Sequence, residues 1–360
     1  MGSLALKMDE SIESIFLKPE TISDGSEEFT EYEFSEKDFI HSVGFFGGSE
    51  SGKTFLCKDL LSRVRHLFPR VILFSPTAAH NNDFQGIVNR LLIIPELSEQ
   101  KFVEIYRAQQ EISLMYKKIN SLPVLTEVFN VACTNSSRNL HAKIIQARDR
   151  MIQKFANYEE NIAAQKAQEL NDKVDRELCG LMKSVILGVR HTLALEDFSK
   201  DAQDCIKYLD LQPNTLFIFD DLMDECCAML KKTKTEAAMF FKNMFTKGRH
   251  IHATHWHIVQ DDAALPPSLR KNIRTSIFTR GDVANTYITR LSNGIAKSDQ
   301  KYGLSLIGKL FQSETDYRKL IYLKDHAKTD KFQYYTAKNV GLFCTSSSAV
   351  NLFCDGLLML

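Results

Sequence analysis

Apolar residues in this chain fall into short unbroken runs, separated by segments where they recur every three or four positions. The unbroken runs, rich in β-branched and aromatic types, read as strands buried on both faces. They predict strands at residues 39–46, 70–76, 91–94, 215–221, 251–259, 275–279 and 320–323. The periodic segments predict helices at 55–64 and around 236–247, the latter with Met239, Phe240, Met244 and Phe245 on one side. Between 98 and 211 strand-like runs are scarce, and Pro123 is the only proline. There Ile144, Ile145, Met151, Ile152, Phe155, Ile162, Leu170, Val174, Leu178 and Met182 recur mostly at helical steps. Strands alternating with helices predict an α/β fold with a mainly parallel sheet. The expected organisation is a leader (1–36), a core (37–97 with 212–340), a helical insertion (98–211) and an apolar tail (341–360). The tail carries one charge, Asp355, and reads as either a core strand or a docking segment.

Composition narrows the class. The 360 residues have zero formal net charge, but residues 1–36 hold ten acidic side chains against Lys7 and Lys18. That leaves 43 Lys and Arg against 35 Asp and Glu in residues 37–360, a net of +8. The acidic leader reads as a solvated, disordered arm; the sharper alternative is an arm that docks on a basic surface or mimics nucleic acid. Eight cysteines lie scattered without C-x-x-C spacing and without a secretory signal, which points to free thiols in a reducing compartment and no zinc module. His250, His252, His255 and His257 invite a metal reading. In an extended segment the first pair faces away from the second, so ordinary strand histidines are expected. No apolar run reaches 18 residues, so no membrane span is expected.

The chemistry begins at Gly47-Gly48-Ser49-Glu50-Ser51-Gly52-Lys53-Thr54, which fits the phosphate-loop pattern G-x-x-x-x-G-K-[ST] at every fixed position. Glycines let backbone N–H groups wrap a polyphosphate, Lys53 reaches its β- and γ-phosphates, and the Thr54 hydroxyl ligates Mg²⁺. The predicted strand before the loop and helix after it aim a helix N-terminus at phosphate. ATP and Mg²⁺ are the ligands this pattern implies.

A second motif, Leu216-Phe217-Ile218-Phe219-Asp220-Asp221, describes a buried strand that delivers two carboxylates to its C-terminal edge. Asp220 is placed to hold Mg²⁺, and Asp221 to orient or deprotonate the attacking water, with Asp224 and Glu225 as competitors for that role. A guanine-specifying N-K-x-D is missing. The long interval between loop and aspartates suits a motor core with a strand between the loop strand and the Asp strand.

In order along the chain follow Thr246-Lys247-Gly248-Arg249-His250, a strand ending at Gln260, and Leu265-Pro266-Pro267-Ser268-Leu269-Arg270-Lys271-Asn272. Together with the two motifs above, these segments resemble the poxvirus-type DNA-packaging ATPases of large DNA viruses, virophages and Maverick-type elements, within the FtsK–HerA superfamily. The likeness spans residues 38–95 and 213–282. It implies a RecA-like P-loop sheet and ATP hydrolysis by a homo-oligomeric ring, hexameric or pentameric, that threads double-stranded DNA into a capsid. Capsid vertex proteins are the implied partners. An infected host cell, cytoplasm or nucleus, or a virion-associated state is the implied location. Gln260 matches the family's polar sensor. Asp221 stands where the family has Glu, which shortens its reach, and the 98–211 segment has no counterpart. A ring motor completes its phosphate site with an arginine from the neighbouring subunit; Arg249, Arg270 and Arg274 are the candidates. Lys231, Lys232 and Lys234 suit a DNA channel or a solvated loop equally. The alternatives are a helicase or AAA+-like ATPase and a nucleotide-gated scaffold without turnover, against which Asp221 and Gln260 argue.

Overall fold

The computed structural model of the chain describes residues 21–23, 28–78, 83–232, 234–311, 318–326, 331–351 and 354. Most of the expected disordered leader lies outside the described residues. Within it, Thr21–Ser23 (β1) pairs antiparallel with Glu28–Thr30 (β2).

The apolar runs become the strands of one sheet: Val43–Phe46 (β3), Arg70–Phe74 (β4), Ile93–Ile94 (β5), Thr215–Asp220 (β6), Ala253–Val259 (β7), Thr275–Phe278 (β8), Arg318–Leu323 (β9) and Phe332–Thr336 (β10). Their order is β10-β9-β8-β3-β7-β6-β4-β5. From β8 to β5 all neighbours are parallel, and β9 runs antiparallel to both β8 and β10. The loop strand β3 and the aspartate strand β6 are therefore separated by β7, the intervening strand expected of a motor core. This is an α/β P-loop NTPase fold of the RecA-like kind, with a mainly parallel central sheet.

Helices fill the intervals: Lys53–Val64 (α1), Glu99–Ile119 (α2), Leu122–Ala132 (α3), Asn135–Phe155 (α4), Glu160–Val189 (α5), Lys200–Tyr208 (α6), Met223–Lys231 (α7), Glu236–Lys247 (α8), Pro267–Arg270 (α9), Gly281–Thr289 (α10) and Lys297–Leu310 (α11). Helix α8 shows why these segments fold as they do. Thr235 caps it by accepting from the Ala238 N–H at 3.3 Å, and Phe240, Phe241, Met244 and Phe245 bury one face. Both faces of the sheet are covered. Phe46, Phe74, Phe217 and Phe219 point into one apolar cluster with α8, while Phe45, Leu216, Ile218 and Trp256 point into another with Leu56, Leu60 and Leu61 of α1. Alternation along β3 and β6 thus feeds two cores.

Several predicted ends shift for identifiable reasons. Residues 39–42 precede β3 without joining it, because the Phe39 carbonyl accepts from Trp256 Nε1 at 3.1 Å and Phe39 packs against that indole ring. Strand β7 starts at Ala253 because residues 248–251 form a tight turn that His252 closes at φ 56°. A side chain at Gly248 would meet the Ala253 carbonyl oxygen at 2.8 Å, so this turn admits only glycine.

The chain divides into two compact units, Met1–Arg107 with Asn214–Leu360, and Ala108–Pro213. The first boundary falls inside α2 and not near 98, because Phe102 and Tyr106 of its early turns pack with Phe74, Phe219 and Phe240 in the sheet unit. The second unit is all helical. Its core gathers Leu125, Val128, Phe129, Met182, Ile186, Cys205 and Ile206. Helix α4 pairs with α5 but buries none of its residues; Met151 and, on α5, Ile162 stay exposed. In the tail, Phe343 is buried, Thr345 N–H donates to the Ile87 carbonyl and Ser346 Oγ accepts from Val71 N–H. Residues 343–347 are a docking segment and not a strand.

Candidate nucleotide site

The register brings five strand ends to one edge. Phe46 lies beside Val259 and Phe278, Asp220 beside Ile258, and Phe74 beside Phe219. The residues just past those ends are Gly47, Gln260, Thr279, Asp221 and Ser75. Ligands of open parallel sheets bind outside these carboxyl ends.

The phosphate loop is shaped by its neighbours. Gly52 caps α1 at φ 84°, and Glu50 is also left-handed at φ 59°. Among the described residues no side chain caps the first turn of α1, which leaves its N–H groups to face a ligand. A side chain at Gly47 would sit 1.8 Å from Thr279 Oγ1, so the loop and the β8 end interlock only because Gly47 has none. Ser51 Oγ donates to the Gly48 carbonyl at 2.7 Å and lies 2.6 Å from Thr279 Oγ1. Lys53 Nζ donates to the Gly47 and Gly48 carbonyls at 2.7 and 2.6 Å. Burial lowers its pKa, while Asp221 and Asp220 pull the other way, so the ammonium lies within the field of both carboxylates. From β9 the buried Lys319 also reaches the loop, with Nζ 3.4 Å from the Ser51 carbonyl.

The two aspartates differ in kind. Asp220 is buried and accepts from Ser75 Oγ at 2.9 Å. Burial raises its pKa from 3.8 to about 6; Ser75 and Lys53 oppose this, and Asp221 and Asp83 add to it. Asp221 is exposed, at φ 53°, with its N–H on the Ile258 carbonyl and Oδ1 accepting from Gln260 Nε2 at 3.2 Å. Aspartate tolerates that left-handed backbone better than most residues. Gln260 thus reaches across from the intervening strand to hold the more exposed carboxylate. Asp220 at the end of β6 and Thr54 in the first turn of α1 carry oxygens of the kind a divalent cation takes. Mg²⁺ takes one or two protein oxygens and completes its shell with water and substrate phosphates. Thr54 and Asp220 are the residues that could hold such an ion.

The raised Asp220 pKa has a stability consequence. The folded state holds the proton more tightly than the unfolded chain. That contribution is complete below about pH 4 and is lost as pH rises through about 6. At neutral pH the ionised group costs about 3 kcal/mol. Asp220→Asn is therefore expected to stabilise the nucleotide-free protein at pH 7.5 by about 1–3 kcal/mol and to flatten its stability between pH 4 and 7. Urea unfolding across that range measures it; equal or lower stability with an unchanged pH profile would contradict the assignment.

The other singled-out residues lie elsewhere. Arg249 and Arg274 line a cavity of about 540 Å³ together with His41, Asn214 and Asn272, at the edge where the parallel strands begin. Arg249 is exposed and Arg274 pairs with Asp325 at 3.3 Å. Arg270 is enclosed: it is 3 % exposed and donates to Asp262 Oδ2 at 2.7 Å, to the Asp262 carbonyl at 3.0 Å and to Ser292 Oγ at 3.1 Å. Its burial against Asp262 makes it a structural cation out of reach of a neighbouring subunit. His255 and His257 are buried, with ring nitrogens 2.9 Å apart. Burial lowers the pKa of both, His255 to about 3, so they sit neutral in the sheet against Phe245. Lys232 pairs with Glu99 at 2.6 Å. Sequence reasoning missed Ser75, Thr279 and Lys319. Ser75 and Thr279 carried a signal, each as the polar residue directly after an apolar run.

No family model matches the chain. It is 25 % identical over 341 residues to "Uncharacterized protein B354L" of African swine fever virus, isolate Pig/Kenya/KEN-50/1950, with 91 % of each chain covered. The same identity and coverage hold for the protein of strain Badajoz 1971 Vero-adapted. Among solved structures, the pCW3 conjugation coupling protein TcpA with ATPgS is similar at TM-score 0.41 and 10 % identity, covering 93 % of this chain and 67 % of that one. The genome packaging NTPase B204 of Sulfolobus turreted icosahedral virus 2, in complex with ATP-gammaS, is similar at TM-score 0.34 and 11 % identity, covering 82 % and 96 %. Scores this low bear on neither activity nor partner.

Proposed function

We propose that this chain is a Mg²⁺-dependent ATPase motor that moves double-stranded DNA, and that in a virus it packages the genome into a capsid as one subunit of a ring. The observation that carries the reading is the Gln260–Asp221 bond from the end of β7 to the end of β6, beside a complete phosphate loop and a buried Asp220. A site that only binds nucleotide needs neither a carboxylate open to water nor an amide from the next strand to aim it. The match over 91 % of the chain to proteins of African swine fever virus supports a viral setting. The Gly248-Arg249-His250 and Leu265–Arg270 segments carry the resemblance to packaging ATPases.

In this reading the loop amides and Lys53 bind the triphosphate, and Lys53 exchanges two backbone carbonyls for phosphate oxygens. Thr54 and Asp220 would hold a Mg²⁺ ion, which when bound would neutralise charge on the phosphate oxygens. Asp221, open to solvent, takes the proton of the attacking water, and the Gln260 amide fixes the carboxylate that does so.

The test is ATP turnover with double-stranded DNA, with single-stranded DNA of equal phosphate concentration, and without DNA. Stimulation by the duplex is expected. Gln260→Ala is expected to keep ATP affinity within about threefold and to lose most hydrolysis or its DNA stimulation, because Asp221 loses the amide that orients it and the triphosphate loses no contact. Stimulation by single strands alone would favour the helicase reading, and equal rates and stimulation in Gln260→Ala would remove its sensor role.

A further inference from the structure

Next to the loop, at the end of β8, stands an arginine that no motif marks. The Arg280 guanidinium packs on Gly48 so closely that a side chain there would meet Nη1 at 3.0 Å. Lys53 approaches the same residue, with Nζ 2.6 Å from the Gly48 carbonyl. Two cations from different elements thus converge on one residue of the loop. The phosphate-loop lysine serves the β- and γ-phosphates, and Arg280 shares its Gly48 neighbour. Its partner is Asp282: Nε donates to Oδ1 at 3.1 Å and Nη2 to Oδ2 at 2.8 Å. Both side chains are more than half exposed. Exposed pairs of this kind are weakly held, so phosphate competes with Asp282 for the fork on favourable terms. Asp282 does not depend on Arg280 for its position, because Oδ1 also accepts from the Val283 N–H at 2.9 Å in the first turn of α10.

We propose that Arg280 is a phosphate ligand supplied by the same subunit, parked on Asp282 when the loop is empty and transferred to the terminal phosphates when ATP binds. The exchange releases Asp282 at the N-terminus of α10, so that helix reads nucleotide occupancy. The inference rests on the phosphate-loop reading above and adds to it a residue and a competing anion. Because the fork meets the end of the polyphosphate, it favours triphosphate over diphosphate.

Affinities for ATP and ADP with Mg²⁺, measured by calorimetry on the full chain, test it in three variants. Arg280→Ala is expected to weaken ATP binding about 10–100-fold and ADP binding much less, the loss of one charge-assisted contact. Asp282→Asn keeps an acceptor for Val283 N–H and removes the competing charge; it is expected to tighten ATP binding severalfold. A merely structural pair would weaken or leave binding in both variants, never move it in opposite directions. Unchanged ATP affinity in Arg280→Ala, or no tightening in Asp282→Asn, overturns the proposal. Lys53→Ala separates the two readings: if it binds ATP as the wild type does, the phosphate site itself is misassigned, whereas if it alone loses ATP, only the role of Arg280 fails.

Discussion

Lys53→Ala is expected to weaken Mg-ATP binding by at least about 100-fold and to bring turnover to background. The ammonium is the one loop side chain that carries full positive charge to the terminal phosphates, and charge-assisted bonds of this kind are the strong ones. The fold should survive. In the nucleotide-free chain Lys53 Nζ bonds the Gly47 and Gly48 carbonyls, and truncating a half-buried side chain at this edge lets water satisfy both. Calorimetry with ATP and a thermal melt of the same sample measure the two halves of the claim. Wild-type affinity in a folded variant would contradict it.

The second large effect concerns a neighbouring subunit. Arg249 precedes β7 and Gln260 follows it, and seven extended residues span about 23 Å. Arg249 therefore cannot reach the phosphate loop of its own chain, and Arg274 lines the same cavity, paired with Asp325. If either stabilises the developing phosphoryl charge, it does so on another copy, and the effect is about 10³–10⁵ in rate. Arg249→Ala or Arg274→Ala is accordingly expected to lose about 10³-fold in turnover with ATP binding intact. Mixing that variant with Lys53→Ala, each inactive alone, should restore activity where an intact loop meets an intact arginine. Full turnover in both arginine variants, or no recovery on mixing, would rule out a shared site. Arg270 is not expected to take part, because it is buried against Asp262 and Ser292.

The parts of the site legible in the sequence are those fixed by contiguous residues. Gly47–Thr54 specifies its own loop, and an apolar run ending in Asp220-Asp221 specifies a buried strand with carboxylates at its edge. The placement of β7 between β3 and β6 followed from the interval between those motifs. What the sequence concealed is set by sheet order. Ser75 meets Asp220 across 145 positions, and Thr279 meets Ser51 across 228. Strand β10 was hidden because Phe332–Thr336 alternates too briefly to stand out, and it is stabilised by pairing with β9. The three arginines looked equivalent in the sequence. Burial separates them, since an acidic partner eight residues away encloses Arg270 while Arg249 stays exposed.

Phosphate release from Mg-ATP by the purified full chain, with and without double-stranded DNA and alongside Asp221→Asn, tests the central claim most directly. Turnover that DNA accelerates in the wild type, with Asp221→Asn binding ATP but releasing no phosphate, is the predicted result. An amide at that position cannot accept the proton of the attacking water. No release from the wild type under either condition, or equal release from Asp221→Asn, would contradict the account.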